Sequence, residues 1–369
     1  MAAYFSRRFL LIIPTFIGIT FLAFTVMRFV PGGPVEQAIA AYQMQMAGAG
    51  EAGASTGGGS GTDQNISISP EMIQKLKEIY GFDKPFYVAY LIWLNKLSPL
   101  GFNLKEKGII KTVFSLHFKR PNMGISDTYS RPVWDVIAER FPISIKFGLI
   151  GFLLSYLVCV PLGVWKAVKH GSAFDMVSSV IVFIGYSIPG WVLGIVLLVY
   201  FGGGSFWNVF PLGGINSPNY GDLGFWAQCR DTVWYMILPV LCYMVGGFAT
   251  LTILMKNSLM ENLGQDYVRT AFAKGLSENT VIFVHALRNS LIPIATGLGH
   301  LLSLILAGSY LIEKVFNIHG FGLLGYTSLI ARDYPVVLGT LVLGSLLKLF
   351  GNIMSDVLYC YIDPRIRFA

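Results

Sequence analysis

Charge is scarce in this chain. Only 13% of its 369 residues are Asp, Glu, Lys or Arg, about half of what a soluble domain carries. Histidine and cysteine are scarcer still, at five and four residues. His117, His170, His285, His300 and His319 are scattered, and Cys159, Cys229, Cys242 and Cys360 show no C-x-x-C spacing. Neither set offers a zinc site or a disulfide framework. No G-x-x-x-x-G-K-[ST] occurs, so the chain lacks a phosphate-cradling loop and is not expected to hold ATP. H-E-x-x-H is also missing, which removes the most recognisable metalloprotease arrangement. The formal charge is +7. In a soluble protein that would raise nucleic-acid binding, but here the positions of the charges say more than their sum, and no nucleic-acid partner is expected.

What the chain has is apolar length. Hydrophobic residues make up 54% and aromatic residues 14%. Six runs are long enough to cross about 30 Å of hydrocarbon at about 1.5 Å per residue: 9–30, 142–165, 175–201, 233–255, 291–312 and 336–361. Backbone polar groups inside a bilayer must be paired within their own segment, so each run reads as a helix and the fold as all-α and membrane-integral. The first run follows Arg7 and Arg8. It is too long for a signal-peptide core and lacks a small-x-small cleavage site, so it is expected to remain as an anchor.

Orientation follows from short-loop charge. With the N-terminus inside, the inner segments hold Arg7, Arg8, Lys166, Lys169, Lys256, Arg269, Lys274, Arg288, Arg365 and Arg367. The short outer loops hold only Arg230, Lys314 and Arg332. Both termini are therefore expected in the cytoplasm. The chain divides into an anchor helix at 1–30, an outer region at 31–141 and a core membrane domain at 142–369. Within the outer region, the Gly/Ala/Ser-rich stretch 46–65 reads as a flexible linker. SPEMIQKLKEIYGF follows with Ser69 as N-cap, Pro70 in the first turn and Gly81 as terminator. FYVAYLIWLNKL is expected as a second outer helix, 99–130 as irregular, and RPVWDVIAERF as a short amphipathic helix before the second span. Pro189-Gly190 and Pro239 are expected to kink the third and fourth spans.

One polar, basic stretch stands between two apolar runs: QDYVRTAFAKGLSENTVIFVHALRNSLIPI, residues 265–294. QDYVRTAFAK suits a helix of about two and a half turns. Thr270, Ala271 and Ala273 keep its side chains small. Gly275 is placed to end it in a left-handed C-cap, and Ser277 to cap a second helix with Leu276 as the apolar residue before the cap. An amphipathic helix on lipid headgroups is one reading. The stretch lacks a strong basic stripe for that, and a protein partner that grips the turn fits its specific turn chemistry better.

At this point the stretch resembles the cytoplasmic EAA loop of ABC importer permeases, with the pattern E-A-A-x3-G-x9-I-x-L-P. Arg269, Thr270 and Ala271 take the E-A-A places, Gly275 the glycine, His285 the isoleucine, and Leu287 and Arg288 the final pair. Spacing agrees throughout, while residue identity agrees at Ala271, Gly275 and Leu287. RRFLLIIPTFIGITFLAF with PGGP after it, YGFDKPFYVAYL, RPVWDVIAERFPISIKFGL, SYLIEKVFNIHGFGLLG, ARDYPVVLGT and DVLYCYIDPRIRF resemble other parts of the oligopeptide, dipeptide and nickel importer permeases. The likeness covers nearly the whole chain except the linker and about 97–122. GGPVEQAIA and GGGSFWNVFPLGG look most like the microcin C-type peptide-importer branch.

The resemblance implies a type I ABC importer permease fold in a bacterial inner membrane, with a large extracytoplasmic region between the first two helices. It implies a coupling hairpin at 265–290, with Arg269, Thr270, Ala271, Lys274, Gly275, Leu276, Ser277, His285, Leu287 and Arg288 toward the ATPase. Two ABC ATPase domains, a homologous second permease and an extracytoplasmic substrate-binding protein would be the partners, in contact with membrane lipid. ATP and Mg would sit on the ATPase subunits, with no cofactor or catalytic residue in this chain. Peptides or peptide-like compounds, microcin C among them, would be the cargo.

Polar residues within the spans stay open to two readings. Lys348, Asn352 and Asp356 are four residues apart on one helical stripe, either a packed polar seam or part of a translocation path. His300 is either a hydrogen-bonded packing residue or part of that path. The competing function is a secondary transporter or channel without an ABC ATPase. That class predicts inverted repeats with matching broken helices, and no convincing repeat is present.

Overall fold

A computed structural model of the chain describes residues 2–30, 32, 33, 36, 39, 71, 74, 78, 82–101, 117–119, 121–203, 206–296 and 309–362. The elements are α1 (Ala2–Phe29), α2 (Phe86–Leu97), α3 (Val133–Val168), α4 (Ala173–Ser187), α5 (Gly190–Phe201) and α6 (Phe225–Leu263), then α7 (Asp266–Ala273), α8 (Glu278–Thr280), α9 (Leu287–Thr296), α10 (Tyr310–Val315), α11 (Phe321–Ile330) and α12 (Tyr334–Ile362). A two-residue antiparallel pair, β1 (Leu100–Gly101) with β2 (His117–Phe118), is the sheet among the described residues. The fold is therefore helical.

Among the described residues α1, α3, α6 and α12 are each long and apolar enough to cross a membrane, and α4 with α5 makes a fifth span if the pair is counted as one. The expected span at 291–312 is seen only at its start, because α9 ends at Thr296 and 297–308 lie outside the described residues. Linker 46–65, Ser69, Pro70 and Gly81 lie outside them too, while Glu71, Gln74 and Glu78 are helical.

Two expectations about helix boundaries need correction. The third span is not merely kinked: α4 and α5 meet at 96°. Pro189 has no N–H to continue the ladder and pushes the residue before it out of the helical region; Ile188 accordingly sits at φ −99, ψ 116. Conversely, RPVWDVIAERF is no separate helix. α3 runs for 36 residues through Pro142 and Pro161, and α6 continues through Pro239. A proline inside a membrane helix is tolerated where neighbouring groups satisfy the freed carbonyl.

The chain divides into two compact units, one of Met1–Pro14, Asp135–Thr327 and Val342–Ala369, the other of Thr15–Trp134 and Ser328–Leu341. The first has two apolar cores. One gathers Phe147 of α3, Met236, Val240 and Cys242 of α6, and Ile312 and Phe316 in and after α10. The other holds Val164 and Ala167 of α3 with Met255 and Leu259 of α6 and the polar hairpin's Val268, Ala271 and Val281. Glycine permits the close approach of α3 to α6: a Cβ on Gly163 would fall 2.6 Å from the Met255 Cβ and 2.8 Å from the Thr252 carbonyl oxygen.

In the second unit α2 packs along α1. Tyr90 Oη lies 3.0 Å from Thr20 Oγ1 and donates to the Ile17 carbonyl at 3.1 Å. Phe21, Phe24, Phe86 and Trp93 surround that contact in edge and tilted ring pairs. Arg28 donates to the Lys84 carbonyl at 2.8 Å and lies over the Phe82 ring. Buried Asp333 caps the start of α12 through Val336 N–H and also accepts from Ser126 and Thr128 N–H.

Candidate functional site

The polar hairpin begins where α6 ends at Leu263, capped by Gly264. α7 is amphipathic in a simple way. Val268 and Ala271 are buried against α6 and α3, and the rest of its residues are exposed. Burying Val268 contributes about 1.5–3 kcal/mol toward holding α7 on the bundle. The turn that follows is a Schellman motif: Gly275 N–H donates to the Phe272 carbonyl at 2.9 Å and Leu276 N–H to the Ala271 carbonyl at 3.4 Å. Gly275 has φ +79 and a Cβ there would meet nothing within 4 Å. The position needs glycine for its backbone angle, and the space above it is open.

Ser277 has the extended backbone of an N-cap before α8, as expected, but no side-chain cap bond forms. Its hydroxyl instead pairs with the Thr280 hydroxyl at 2.8 Å. The second arm of the hairpin then runs through a π-helical turn, Val281–Ala286, into α9. Such turns insert an extra residue per ladder step and recur at functional positions. The turn rotates Val281, Ile282 and Ala286 inward, where all three are buried, and leaves Phe283, Val284 and His285 outward. Paired hydroxyls then fasten α9 to α6: Ser258 Oγ donates to the Ser290 carbonyl at 2.9 Å and Ser290 Oγ to the Ser258 carbonyl at 3.3 Å.

Most of the resemblance-derived residues are exposed. Arg269, Thr270, Lys274, Gly275, Leu276, Ser277, His285 and Arg288 are exposed, Leu287 is half-buried and Ala271 is buried. Ala271 thus belongs to the hairpin's packing, not to its free face. The Arg269 side chain, 76% exposed, comes no closer than 3.5 Å to a 96% exposed Asp266, a pair worth little in water. Phe272, Phe283 and Val284 were not singled out in the sequence, yet all three are exposed beside the turn. Their signal was faint: three large apolar residues spaced within a segment otherwise rich in polar side chains.

The candidate path residues on α12 differ in burial. Lys348 is exposed and Asn352 half-buried. Asp356 is buried, with Arg8 Nε 3.2 Å from its Oδ2, an ion pair by distance without hydrogen-bond geometry. His300 lies outside the described residues. Among the described residues no group of three or more His, Cys, Asp or Glu side chains is arranged to hold a metal.

A helical bundle with a bent span and a turn-built polar hairpin describes a class of membrane transport subunit, and sequence comparison assigns it. Residues 159–368 match the model of the binding-protein-dependent transport system inner membrane component, and the chain belongs to that family. Among its relatives, the inner membrane ABC transporter permease protein YejB of Escherichia coli O157:H7 is 40% identical over 384 residues, covering 100% of this chain and 99% of the relative. The peptidoglycan transport system permease protein YejB of Agrobacterium fabrum is 38% identical over 386 residues with the same coverage. The dipeptide transport system permease protein DppB of Escherichia coli K12 is 33% identical over 387 residues, again with 100% and 99% covered. The chain is accordingly a multi-pass inner-membrane permease subunit of the ABC importer class, a transport component and not an enzyme. Membership in that class implies ATPase and substrate-binding-protein partners, with ATP and Mg on the ATPase.

Proposed function

We propose that this chain is one of two homologous permease subunits that together form the path of an ATP-driven peptide importer, and that residues 265–290 are the element by which the ATPase moves it. The observation that carries the reading is the hairpin. Its inner face is fastened to α6 and α3 by apolar burial, while its turn, opened by Gly275, presents Thr270, Lys274, Leu276 and Phe272 to a partner. A handle of this kind transmits force because it is rigid against the bundle and free on its other side. Lipid contact alone would not require the left-handed turn.

In this reading six spans cross the membrane, both termini face the cytoplasm with the hairpin, and residues 31–141 face the binding protein. Cargo passes between the two permeases, and its selection rests largely on the binding protein. Peptides and peptide-bearing compounds are the cargo class, supported by the dipeptide and peptidoglycan names of the relatives. Microcin C-type modified peptides fall within that class. Lys348 and Asn352 are offered to the path or to the second permease, while Asp356 is engaged with Arg8.

The test is mild affinity purification of the tagged chain from its native membrane, followed by mass spectrometry and peptide uptake in vesicles. A second permease and a P-loop ATPase in near-equal amounts, with uptake that needs internal ATP and competes with short peptides, is the expected result. A chain that purifies alone and drives uptake without ATP would replace this reading with a secondary transporter or channel.

A further inference from the structure

Force applied to the hairpin reaches the bent span through the contacts that join the two. At the end of α6 nearest the hairpin, one carboxylate makes that junction. Asp175, in the first turn of α4, is buried, and Lys256 Nζ of α6 lies 2.8 Å from its Oδ1 and 2.7 Å from its Oδ2. On the other side stands Lys166 of α3. Its Nζ is 3.1 Å from Asp175 Oδ1, and it donates to the Asp175 carbonyl at 2.9 Å and to the hydroxyls of Ser178 and Ser179 at 2.8 Å each. Gly171 N–H donates to Oδ2 at 3.2 Å, and His170 Nδ1 lies 3.3 Å from the same oxygen.

The two lysines are not equivalent. Lys166 is 1% exposed in its side chain, and its ammonium, with three protons to give, faces four oxygens of α4. In this structure the arm is shut off from water. Lys256 keeps 15% exposure and has the one carboxylate among the described residues. Water can receive it when it withdraws. Asp175 would then still hold Lys166 and Gly171 N–H, so breaking the Lys256 arm strands no buried charge. The junction has one arm shut off from water and one partly open to it.

Lys256 also sits where the hairpin bears. It is seven residues before the end of α6, about two turns, and its neighbour Met255 shares an apolar cluster with Val268 and Ala271 of α7. We propose that Lys256 is a positioning residue for transport: its ion pair with Asp175 makes α4, and the bent span beyond it, follow the inner end of α6 when the hairpin is moved. This rests on the hairpin being the ATPase-docking element.

The experiment reconstitutes the complete importer in vesicles and measures ATP hydrolysis and uptake of a labelled tripeptide in the same preparation, for wild type, Lys256→Gln and Lys256→Arg. In Lys256→Gln, hydrolysis and thermal midpoint stay close to wild type while uptake per ATP falls about fivefold or more, the scale of an ordinary coupling free energy. Lys256→Arg restores uptake per ATP. Unchanged uptake per ATP in Lys256→Gln, or no recovery with arginine, would overturn the proposal. So would a parallel fall of hydrolysis, uptake and midpoint, which marks a merely structural lysine. Failure of the docking reading shows separately, as a wild-type preparation whose uptake does not depend on ATP.

Discussion

Gly320 shows how tightly single residues are constrained away from the hairpin. A Cβ at this position would fall 2.5 Å from the Glu313 carboxyl carbon, from its Oε1 and from Ser144 Oγ. Those groups form a closed knot. Ser144 donates to Glu313 Oε1 at 2.7 Å and accepts from Phe321 N–H at 2.7 Å, while Leu323 N–H donates to Glu313 Oε2 at 2.6 Å. The carboxyl thus joins α10 and the start of α11 to α3. Burial pushes the Glu313 carboxyl above the usual carboxylate range, opposed by the hydrogen bonds from Leu323 and Ser144. Gly320→Ala must part these groups, and overpacking of this kind costs about 1–3 kcal/mol. The expected outcome is a lowered thermal midpoint of the detergent-purified chain, followed by tryptophan fluorescence. An unchanged midpoint would show that the knot yields freely.

At the scale of elements, the hairpin separates fastening from docking. Phe272 and Leu276 are exposed beside the turn and outside the apolar cluster that holds α7. Replacing both with serine is expected to leave stability within about 0.5 kcal/mol, as for other exposed positions, and to reduce recovery of the ATPase with the tagged chain. Equal recovery from wild type and the double variant would remove these side chains from the docking face. Much of the hairpin was legible beforehand, because a glycine at a C-cap and a serine after it have local causes. The π turn was not: no residue type in VIFVHA announces it, and it arises from fitting Val281 and Ala286 into a core shared with α3 and α6. Pro189 marked the position of the bend, but its 96° angle also depends on α5 lying against α6. There Gly190 has no Cβ to strike the Cys242 carbonyl. The helix expected over RPVWDVIAERF erred in the other direction, since a membrane helix carried on through Pro142, a residue type that ends most soluble ones.

For the molecule as a whole, the apolar runs foretold the spans because hydrocarbon thickness and helical rise leave few alternatives. They could not foretell which side chains would meet. The Asp175 junction draws on three helices, and Lys166, Asp175 and Lys256 are too far apart in the chain for spacing to link them. α1 illustrates a further limit: only 6% of its apolar window is buried in the chain, so most of that surface is left to lipid or to another subunit. The account of the whole rests on one chain of contacts, from the turn at Gly275 through α7 to α6 and the bent span.

The most direct measurement is uptake of a labelled peptide by vesicles containing the complete importer with Gly275→Asp in this chain. The substitution forces an L-residue into a left-handed turn at a cost of about 1–2 kcal/mol and places a charge on the open face, where its Cβ would meet nothing within 4 Å. The account predicts a chain present in the membrane at the wild-type level, little or no ATPase held on it, and uptake at background. Normal uptake by that variant would contradict the hairpin's role as the handle of the transporter.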